Sequence, residues 1–366
     1  MNEVLISDLN TANGCVLGHA HLNVESTLNS LSLDMARRLH AALTDWSGRD
    51  EVVAVVITGA GDRAFCAGGD IQALYRAIVT NHTANAVVDD YPFGFFEAEY
   101  RLDFAIHNFR KPLLTLGHGI VMGGGLGIFS AARYRVLTQK SRLASPEITI
   151  GLFPDAGASW TYRNMPQHWA SFLGLSGAQL NAADALLVGL GTHVVDHDGR
   201  DVILKEVLSL PWQADASDGD LLEEWLAALD TPPMPQAQIS AVPERVPDFE
   251  DFSGEISAVQ NLKGLSEWVD KGIGNLNSGC PTTAGIIVEQ LRRVPHMTLA
   301  DTYRMELTLA THCAQNLDFR EGVRALLIDK DNAPNWQFGS LDKLDWNHVL
   351  THFVDPWPNH PLADLE

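Results

Sequence analysis

Short apolar runs divide the first half of the chain into segments of strand length. Strands are predicted at residues 3–7, 14–22, 51–58, 113–121 and 133–139. The third run, EVVAVVIT, is almost continuous in β-branched residues, which is typical of a parallel strand buried on both faces. Such strands need helices on both sides of their sheet.

Amphipathic segments lie between and after these runs. Helices are predicted at about residues 33–46, from 71 onwards, and at 126–132, 179–191 and 220–229. In the first of them, Leu39, Leu43 and Trp46 recur at helical spacing, and Ser32 is placed to cap the first turn. Strands that alternate with helices indicate an α/β core with much parallel pairing.

The pattern changes near residue 200 and suggests three regions. Residues 1–200 are predicted to form the α/β core. Residues 201–255 are predicted to be an acidic, proline-rich connection, and residues 256–366 a mainly helical C-terminal region. Internal repeats and long low-complexity tracts are absent from the sequence.

The charge narrows the range of partners. Lys and Arg number 25 against 46 Asp and Glu, a net charge of −21. A surface this acidic repels phosphate groups, so neither nucleic acid nor an anionic membrane is expected as a partner. No apolar stretch reaches the roughly 18 residues that a membrane helix requires. We therefore expect neither class of binding.

The cysteines and the N-terminal residues indicate in which cellular compartment the protein is expected. The four cysteines are scattered without CxxC spacing, at Cys15, Cys66, Cys280 and Cys313. This spacing is typical of reduced thiols rather than of a disulfide frame or a zinc site. The sequence MNEVLISDLN lacks a signal-peptide or Arg-rich transit pattern. A cytoplasmic location is predicted, with no metal and no cofactor.

Two glycine clusters are the first candidates for chemistry. One is Cys66-Ala67-Gly68-Gly69-Asp70 and the other is Met122-Gly123-Gly124-Gly125, and each follows a predicted strand and precedes a helix. Glycine allows close approach of a ligand to the backbone, and a helix N-terminus offers free N–H groups. Together the two clusters could form an oxyanion hole. A pair of ordinary tight turns remains an equal alternative.

Two further motifs are weak. Residues 59–64, GAGDRA, match the dinucleotide pattern GxGxxA, but another glycine turn follows within five residues where a helix should open. His19 and His21 would share one face of a strand, without a third metal ligand nearby. We interpret these histidines as surface residues.

The stretch ASPEITIGLFPDAGAS contains two carboxylates, Glu147 and Asp155. In a straight strand they would lie some 26 Å apart, so they can cooperate only if the chain turns between them. Gly151 and Pro154 make such a turn plausible. Glu147 could instead be an exposed acid at a strand end, and Asp155 could be the N-cap of a helix from Ala156.

Three motifs in this order, AFCAGGDI, GIVMGGGLGI and SPEITIGLFPDAG, resemble the crotonase (enoyl-CoA hydratase/isomerase) superfamily over roughly residues 3–200. A fourth, DFREGVRALLIDKDNAPNW at 318–336, resembles its 3-hydroxyisobutyryl-CoA hydrolase branch. The resemblance implies a crotonase-like α/β fold, a repeated ββα superhelix with a C-terminal helical region. It also implies an acyl-CoA substrate and a possible homo-oligomer.

The resemblance further implies roles for individual residues. The backbone N–H groups of Gly69 and Gly124 would form the oxyanion hole for a thioester carbonyl. Glu147 matches a catalytic glutamate of the family, whereas the first hydratase glutamate is replaced here by Gly127. As in the hydrolase branch, Asp155 stands where hydratases have glycine, and Glu99 matches a glutamate expected to bind the substrate's 3-hydroxyl.

These matches imply hydrolysis of a short-chain acyl-CoA thioester, with 3-hydroxyisobutyryl-CoA of valine catabolism as the favoured substrate. Two alternatives remain. A single glutamate at Glu147 could support enoyl-CoA isomerisation or another crotonase reaction, and a non-catalytic binding subunit is the third hypothesis. The aromatic segment YPFGFF at 91–96 could be a lid over the acyl pocket or part of the core.

Overall fold

The computed structural model describes residues 2–366, which divide into two compact units. The first unit comprises the chain up to Gly69, Arg101–Leu143 and Leu180–Ala237, and the second comprises Asp70–Tyr100, Ala144–Gln179 and Gln238–Glu366. Within residues 2–366, no helix combines the length and apolar character needed to cross a membrane.

Ten strands within residues 2–366 form two sheets. They are β1 (Val4–Asn10), β2 (Val16–Leu22), β3 (Val52–Gly59), β4 (Ala64–Cys66), β5 (Leu113–Gly117), β6 (Ile120–Met122), β7 (Tyr134–Thr138), β8 (Arg142–Ala144), β9 (Leu180–Asn181) and β10 (His193–Val195). The larger sheet has the order β1-β2-β3-β5-β7-β10, and the smaller has the order β4-β6-β8-β9. In the larger sheet only the β1–β2 pair is antiparallel.

Successive strands alternate between the two sheets. β3, β5 and β7 belong to the larger sheet, and the strand that follows each of them, β4, β6 and β8, belongs to the smaller one. A helix follows β4 and β6 along the chain, at residues 71 and 124. This alternation is the repeated ββα arrangement that the family resemblance implied, and it confirms the predicted α/β fold class.

The prediction of one strand at residues 113–121 is wrong. The run is broken at Gly119, which has φ +58°, and its two halves join different sheets as β5 and β6. A Cβ at Gly119 would lie 2.6 Å from the carbonyl carbon of Arg63. A continuous apolar run does not show this break, because both halves are buried. The GAGDRA motif leads into β4 rather than a helix, which excludes the dinucleotide alternative.

Fifteen helices accompany the strands in the described chain. They are α1 (Leu33–Ser47), α2 (Ile71–Ala84), α3 (Tyr91–His107), α4 (Gly124–Ala131), α5 (Ala158–Arg163), α6 (Gln167–Ser176), α7 (Ala182–Leu187), α8 (Arg200–Ser209), α9 (Asp218–Ala227), α10 (Phe252–Gln260), α11 (Glu267–Ser278), α12 (Pro281–Arg293), α13 (Leu299–Gln315), α14 (Leu317–Val323) and α15 (Trp346–Thr351). Ser32 caps α1 as predicted, accepting a hydrogen bond from the N–H of Met35 at 3.2 Å. The helix predicted at 179–191 is only partly correct, because β9 precedes the short α7.

Helices also occupy much of the segment predicted as a connection. α8 and α9 bury Ile203, Val207, Leu222 and Leu226 in one cluster with apolar side chains of the larger sheet, and Trp212 between them is buried in the same cluster. α9 corresponds to the helix predicted at 220–229, whereas α8 was not predicted, and both helices contribute to the first unit's core. The boundaries predicted at 200 and 255 remain predictions.

The aromatic segment YPFGFF opens α3. Phe95 and Phe96 are each 1% exposed and pack edge to face against one another, so this segment is core rather than a lid. The C-terminal helices α10–α15 confirm the predicted helical character of the last third of the chain. After α14, Arg324 pairs with Asp329 and Asp331 in a charged turn.

Candidate active site

Glu147 begins a 3-10 turn, Glu147–Ile150, in the second unit. Pro146 precedes the turn, and Gly151 ends it with φ +74°, a conformation that favours glycine. Only 5% of the Glu147 residue is exposed, so the alternative of an exposed strand-end acid is wrong. The expected bend between the two carboxylates is therefore present, and it begins at Glu147 itself.

The C-terminal signature motif packs directly against this turn. A Cβ at Gly151 would lie 2.6 Å from the carbonyl carbon of Asp318, and a Cβ at Gly322 would lie 2.6 Å from the Cα of Ile150. Such distances allow no side chain at either glycine. The backbone of α14 therefore lies directly against the backbone of the turn that carries Glu147, which gives the motif at 318–336 a structural connection to the site.

Asp155 follows Pro154 and is 8% exposed. The helix after it begins only at Ala158 with Gly157 as its N-cap, so the prediction that Asp155 caps a helix from Ala156 is not confirmed. Its Oδ2 instead accepts a hydrogen bond from the hydroxyl of Tyr100 at 2.8 Å. The carboxylate is thus buried and oriented.

Glu147 and Asp155 interact electrostatically. Burial raises the pKa of Glu147 well above its usual range, and the negative charge of Asp155 raises it further. Burial also raises the pKa of Asp155, to about 6, although the Tyr100 hydrogen bond opposes this rise. The two raised pKa values mean that the pair resists carrying two negative charges at once. Oε2 of Glu147 has no hydrogen-bond partner among the described residues.

A third buried acid, Glu306 of α13, was missed by sequence reasoning. It is fully buried and accepts hydrogen bonds from the N–H groups of Gly157 at 2.7 Å and Ser159 at 3.0 Å. Burial raises the pKa of Glu306 to about 8. The one available signal was a charged residue on an otherwise apolar stretch of helix, MELTLA. Tyr100 was missed as well, although it adjoins Glu99.

Glu99 lies on α3 and is 2% exposed, so it is a buried acid and not a solvated one. It is one of several acids near the Tyr100 hydroxyl: burial raises the pKa of Tyr100, and the charges of Asp155, Glu306 and Glu99 raise it further. The structure thus places Glu99 in the same acidic cluster as Asp155. Its contact with a substrate hydroxyl remains a prediction.

The two glycine clusters come together in the first unit. Gly124 is the first residue of α4, where backbone N–H groups have no helical partner. A Cβ at Gly68 would lie 3.9 Å from the Gly124 nitrogen, so the loop that ends in Gly69 packs against the N-terminus of α4. The N–H of Leu31 donates to the Gly68 carbonyl at 2.8 Å and fixes that loop.

Gly125 explains how closely α4 approaches β4. A Cβ at Gly125 would lie 2.7 Å from the Cβ of Cys66, so any larger residue would push the helix away. Gly127, two residues after Gly125, is buried within α4 and supplies no carboxylate. The first acid of the hydratase pattern is therefore absent, as the sequence indicated. Residues 2–366 contain no group of three or more His, Cys, Asp or Glu side chains that could hold a metal ion.

Comparison with known proteins identifies the family to which this fold belongs. A family model described as enoyl-CoA hydratase/isomerase matches residues 17–353, and the chain therefore belongs to this family. Among curated proteins, the 3-hydroxyisobutyryl-CoA hydrolase, mitochondrial, of Bos taurus is 34% identical over 93% of this chain and 86% of its own. The human protein of that name is 31% identical with the same coverage.

Solved structures support the same assignment of fold. A carnitinyl-CoA dehydratase from Mycobacterium thermoresistibile superposes with a TM-score of 0.84 at 27% identity, covering 99% of both chains. An enoyl-CoA hydratase from Rhodobacter sphaeroides gives a TM-score of 0.81 at 26% identity, covering 97% of this chain and 98% of its own. The sequence relatives are hydrolases by name, whereas these structural relatives are named for dehydration and hydration.

Proposed function

We propose that this protein hydrolyses a short-chain acyl-CoA thioester, and that 3-hydroxyisobutyryl-CoA of valine catabolism is its substrate. The observation that carries the proposal is the buried pair Glu147 and Asp155, in a chain that has glycine at the first hydratase acid position, Gly127. The names of the curated relatives support the same activity and the same acyl group.

The backbone amides of Gly69 and Gly124 bind the thioester oxygen in this proposal. Attack on the thioester carbon converts its carbonyl into an oxyanion, and each preorganised N–H donor stabilises that charge by about 3 kcal/mol. The C–S bond then breaks, and CoA leaves as a thiolate that takes a proton. Hydrolysis therefore needs a group that delivers oxygen to the carbon and a group that delivers a proton to sulfur.

Glu147 and Asp155 supply these two groups. The unpartnered Oε2 of Glu147 can take a proton from water or attack the thioester carbon itself to form an anhydride that water then cleaves. Asp155, oriented by Tyr100, then orients water or protonates the departing sulfur. A single turnover in H₂¹⁸O can reveal the anhydride route. Label in the Glu147 peptide shows that water cleaved an anhydride at the glutamyl carbon, because direct water attack on the thioester labels only the product.

Glu99 selects the acyl group in this proposal. Its buried carboxylate would accept a hydrogen bond from a hydroxyl on the third acyl carbon. A site with a buried polar group discriminates strongly against analogues that leave the group unpaired. Glu99→Ala is therefore expected to narrow the preference for 3-hydroxyisobutyryl-CoA over isobutyryl-CoA, measured as a ratio of kcat/KM values.

Enoyl-CoA hydration is the second candidate, because the structural relatives are a dehydratase and a hydratase by name. A panel of acyl-CoA esters separates the two activities. We expect release of free thiol from 3-hydroxyisobutyryl-CoA and no loss of enoyl absorbance with crotonyl-CoA. Hydration of crotonyl-CoA without thiol release would establish the second candidate, and activity on neither ester would favour a binding subunit.

Four expectations accompany this proposal and stay predictions. The reaction is expected to need no cofactor and the chain to bind no nucleic acid, and the family resemblance allows a homo-oligomer. A cytoplasmic location is expected from the sequence, whereas the vertebrate relatives are mitochondrial by name. Size-exclusion chromatography tests the oligomeric state, a gel shift at low salt tests nucleic-acid binding, and cell fractionation tests the location.

A further inference from the structure

The segment after Asp155 adopts an unusual backbone conformation. Ala156 has φ +53° and Gly157 has φ +81°, so two consecutive residues are left-handed. Glycine adopts this region freely, but alanine does so at a cost of roughly 1–2 kcal/mol because its Cβ crowds the following carbonyl. Such a turn persists only where neighbouring groups fix it.

Glu306 fixes the turn from α13. The N–H of Gly157 donates to its Oε2 at 2.7 Å, and the N–H of Ser159 donates to its Oε1 at 3.0 Å. Each carboxylate oxygen therefore accepts one backbone hydrogen of the turn. The ionised form of Glu306 suits two N–H donors, and these hydrogen bonds oppose the rise in its pKa that burial causes. An amide instead offers one acceptor oxygen and an NH₂ group that would face the second donor.

Two other helices hold the same segment. The side-chain amide of Gln290, on α12, donates to the carbonyl of Pro154 at 2.8 Å and also to the hydroxyl of Ser159. Tyr100, on α3, donates to the Asp155 carboxylate at 2.8 Å. Different side chains, all distant in sequence, therefore hold the backbone on each side of Asp155 and the Asp155 carboxylate.

We propose that Glu306 and Tyr100 are positioning residues for Asp155. Glu306 fixes the backbone that follows Asp155, and Tyr100 fixes the direction of its carboxylate. The inference rests on the proposed function in one respect, since it assumes that Asp155 acts on the thioester. Neither residue is assigned a contact with the substrate, so both act through Asp155.

Charge gives Glu306 a second link to the pair. The titratable groups that face it are Asp155, Glu147 and Tyr100. The pKa of Glu147 is raised by burial, then by Asp155, and also by the charge of Glu306. A charge on Glu306 therefore opposes a charge on Glu147. Substitution of Glu306 should change the pH dependence of turnover as well as its rate.

Glu306→Gln is the first test. The variant loses one of the two amide contacts, so kcat for thiol release is expected to fall on the order of 10- to 100-fold, as for a catalytic group displaced by about 1 Å. KM should change less than about threefold because no substrate contact is removed. Glu255→Gln is the control: Glu255 is buried on α10 and paired with Arg245, and its substitution should leave kcat unchanged.

Tyr100→Phe is the second test. It removes only the hydroxyl and keeps the ring, so it remains informative if Glu306→Gln misfolds. The hydrogen bond from Tyr100 lowers the pKa of Asp155, so its loss should move the acidic limb of the kcat–pH profile to higher pH. Tyr134→Phe is the matched control, because Tyr134 donates to the Gly219 carbonyl at 2.8 Å in the first unit. An unchanged profile in Tyr100→Phe contradicts the positioning role.

A double-mutant cycle separates positioning from general destabilisation. In an Asp155→Asn background, Glu306→Gln and Tyr100→Phe should each lower the residual kcat by less than about twofold, since residues that act through one group are not additive. If their effects multiply in full, neither residue acts through Asp155.

Amide hydrogen exchange tests the inference without reference to the reaction. In Glu306→Gln the N–H groups of Gly157 and Ser159 should exchange on the order of tenfold faster, whereas Glu255→Gln should leave them unchanged. If the wild type releases no thiol from any acyl-CoA, the proposed function fails and the exchange result still decides the positioning role. Unchanged exchange in Glu306→Gln would overturn that role.

Discussion

Gly322 leaves no space for a side chain against Ile150, since a Cβ there would lie 2.6 Å from the Ile150 Cα. Gly322→Ala must therefore separate α14 from the turn that begins at Glu147. We expect the free energy of unfolding to fall by about 1–3 kcal/mol, as for other overpacked interfaces, and kcat to fall because Glu147 moves. Urea unfolding and thiol release measure the two effects.

Gly274→Ala is the matched control for this prediction. Gly274 lies on an exposed part of α11, and a Cβ there would meet no heavy atom within 4 Å. Alanine should stabilise the helix by about 0.5–1 kcal/mol and leave kcat unchanged. If Gly322→Ala behaves like Gly274→Ala, the close packing of α14 against the turn does not matter for the site.

Gly125→Ala tests the role of the first unit's amides. A Cβ at Gly125 would lie 2.8 Å from the carbonyl carbon of Cys66, so α4 has to move away from β4. The Gly124 N–H moves with it, and loss of one oxyanion donor is expected to lower kcat on the order of 100-fold. At Gly219 a Cβ would meet only ordinary contacts, the nearest at 3.6 Å, so Gly219→Ala should retain full activity. Equal activity of the two variants would contradict the proposed oxyanion hole.

The buried Asp155 should make stability depend on pH. Its pKa is about 6 in the folded protein, against 3.8 for the unperturbed carboxyl, so the folded state binds the proton more tightly. The stabilisation from this group is complete below pH 3.8 and is lost as pH rises through about 6, a change of about 3 kcal/mol. Asp155→Asn should lack this loss.

Urea unfolding of both proteins at several pH values between 4 and 7 isolates the effect. Groups elsewhere titrate alike in the two proteins, so the difference in unfolding free energy between wild type and Asp155→Asn carries the contribution of Asp155 and of the groups coupled to it. As pH rises, the unfolding free energy of the wild type should fall relative to that of Asp155→Asn. If the unfolding free energies of the two proteins depend on pH in the same way, the folded-state pKa of Asp155 is not raised.

The local features of the fold followed from the sequence. Short apolar runs predicted β3 and β7, the cap at Ser32 marked the start of α1, and the helix expected at 220–229 is α9. The glycine clusters around Gly69 and Gly124 come together as expected. Glycine and capping signals are encoded within a few residues, so one sequence is enough to read them.

Contacts between distant residues could not be predicted. Glu306 binds the backbone at Gly157, 149 positions away, and helical periodicity shows that α13 has a buried face without showing what that face meets. The same limit applies to Tyr100, whose partner Asp155 is 55 positions away. The break at Gly119 was missed because both halves of the run are buried, and α8 was missed because its polar composition resembles that of a connection.

Release of CoA from 3-hydroxyisobutyryl-CoA by the wild type and by Glu147→Gln tests the central claim most directly. Glutamine keeps the size of the side chain but supplies no carboxylate to attack the carbon or accept a proton. We expect rapid thiol release by the wild type, and none above background by Glu147→Gln although it still binds the ester in calorimetry. Undiminished thiol release by a folded Glu147→Gln would contradict the account.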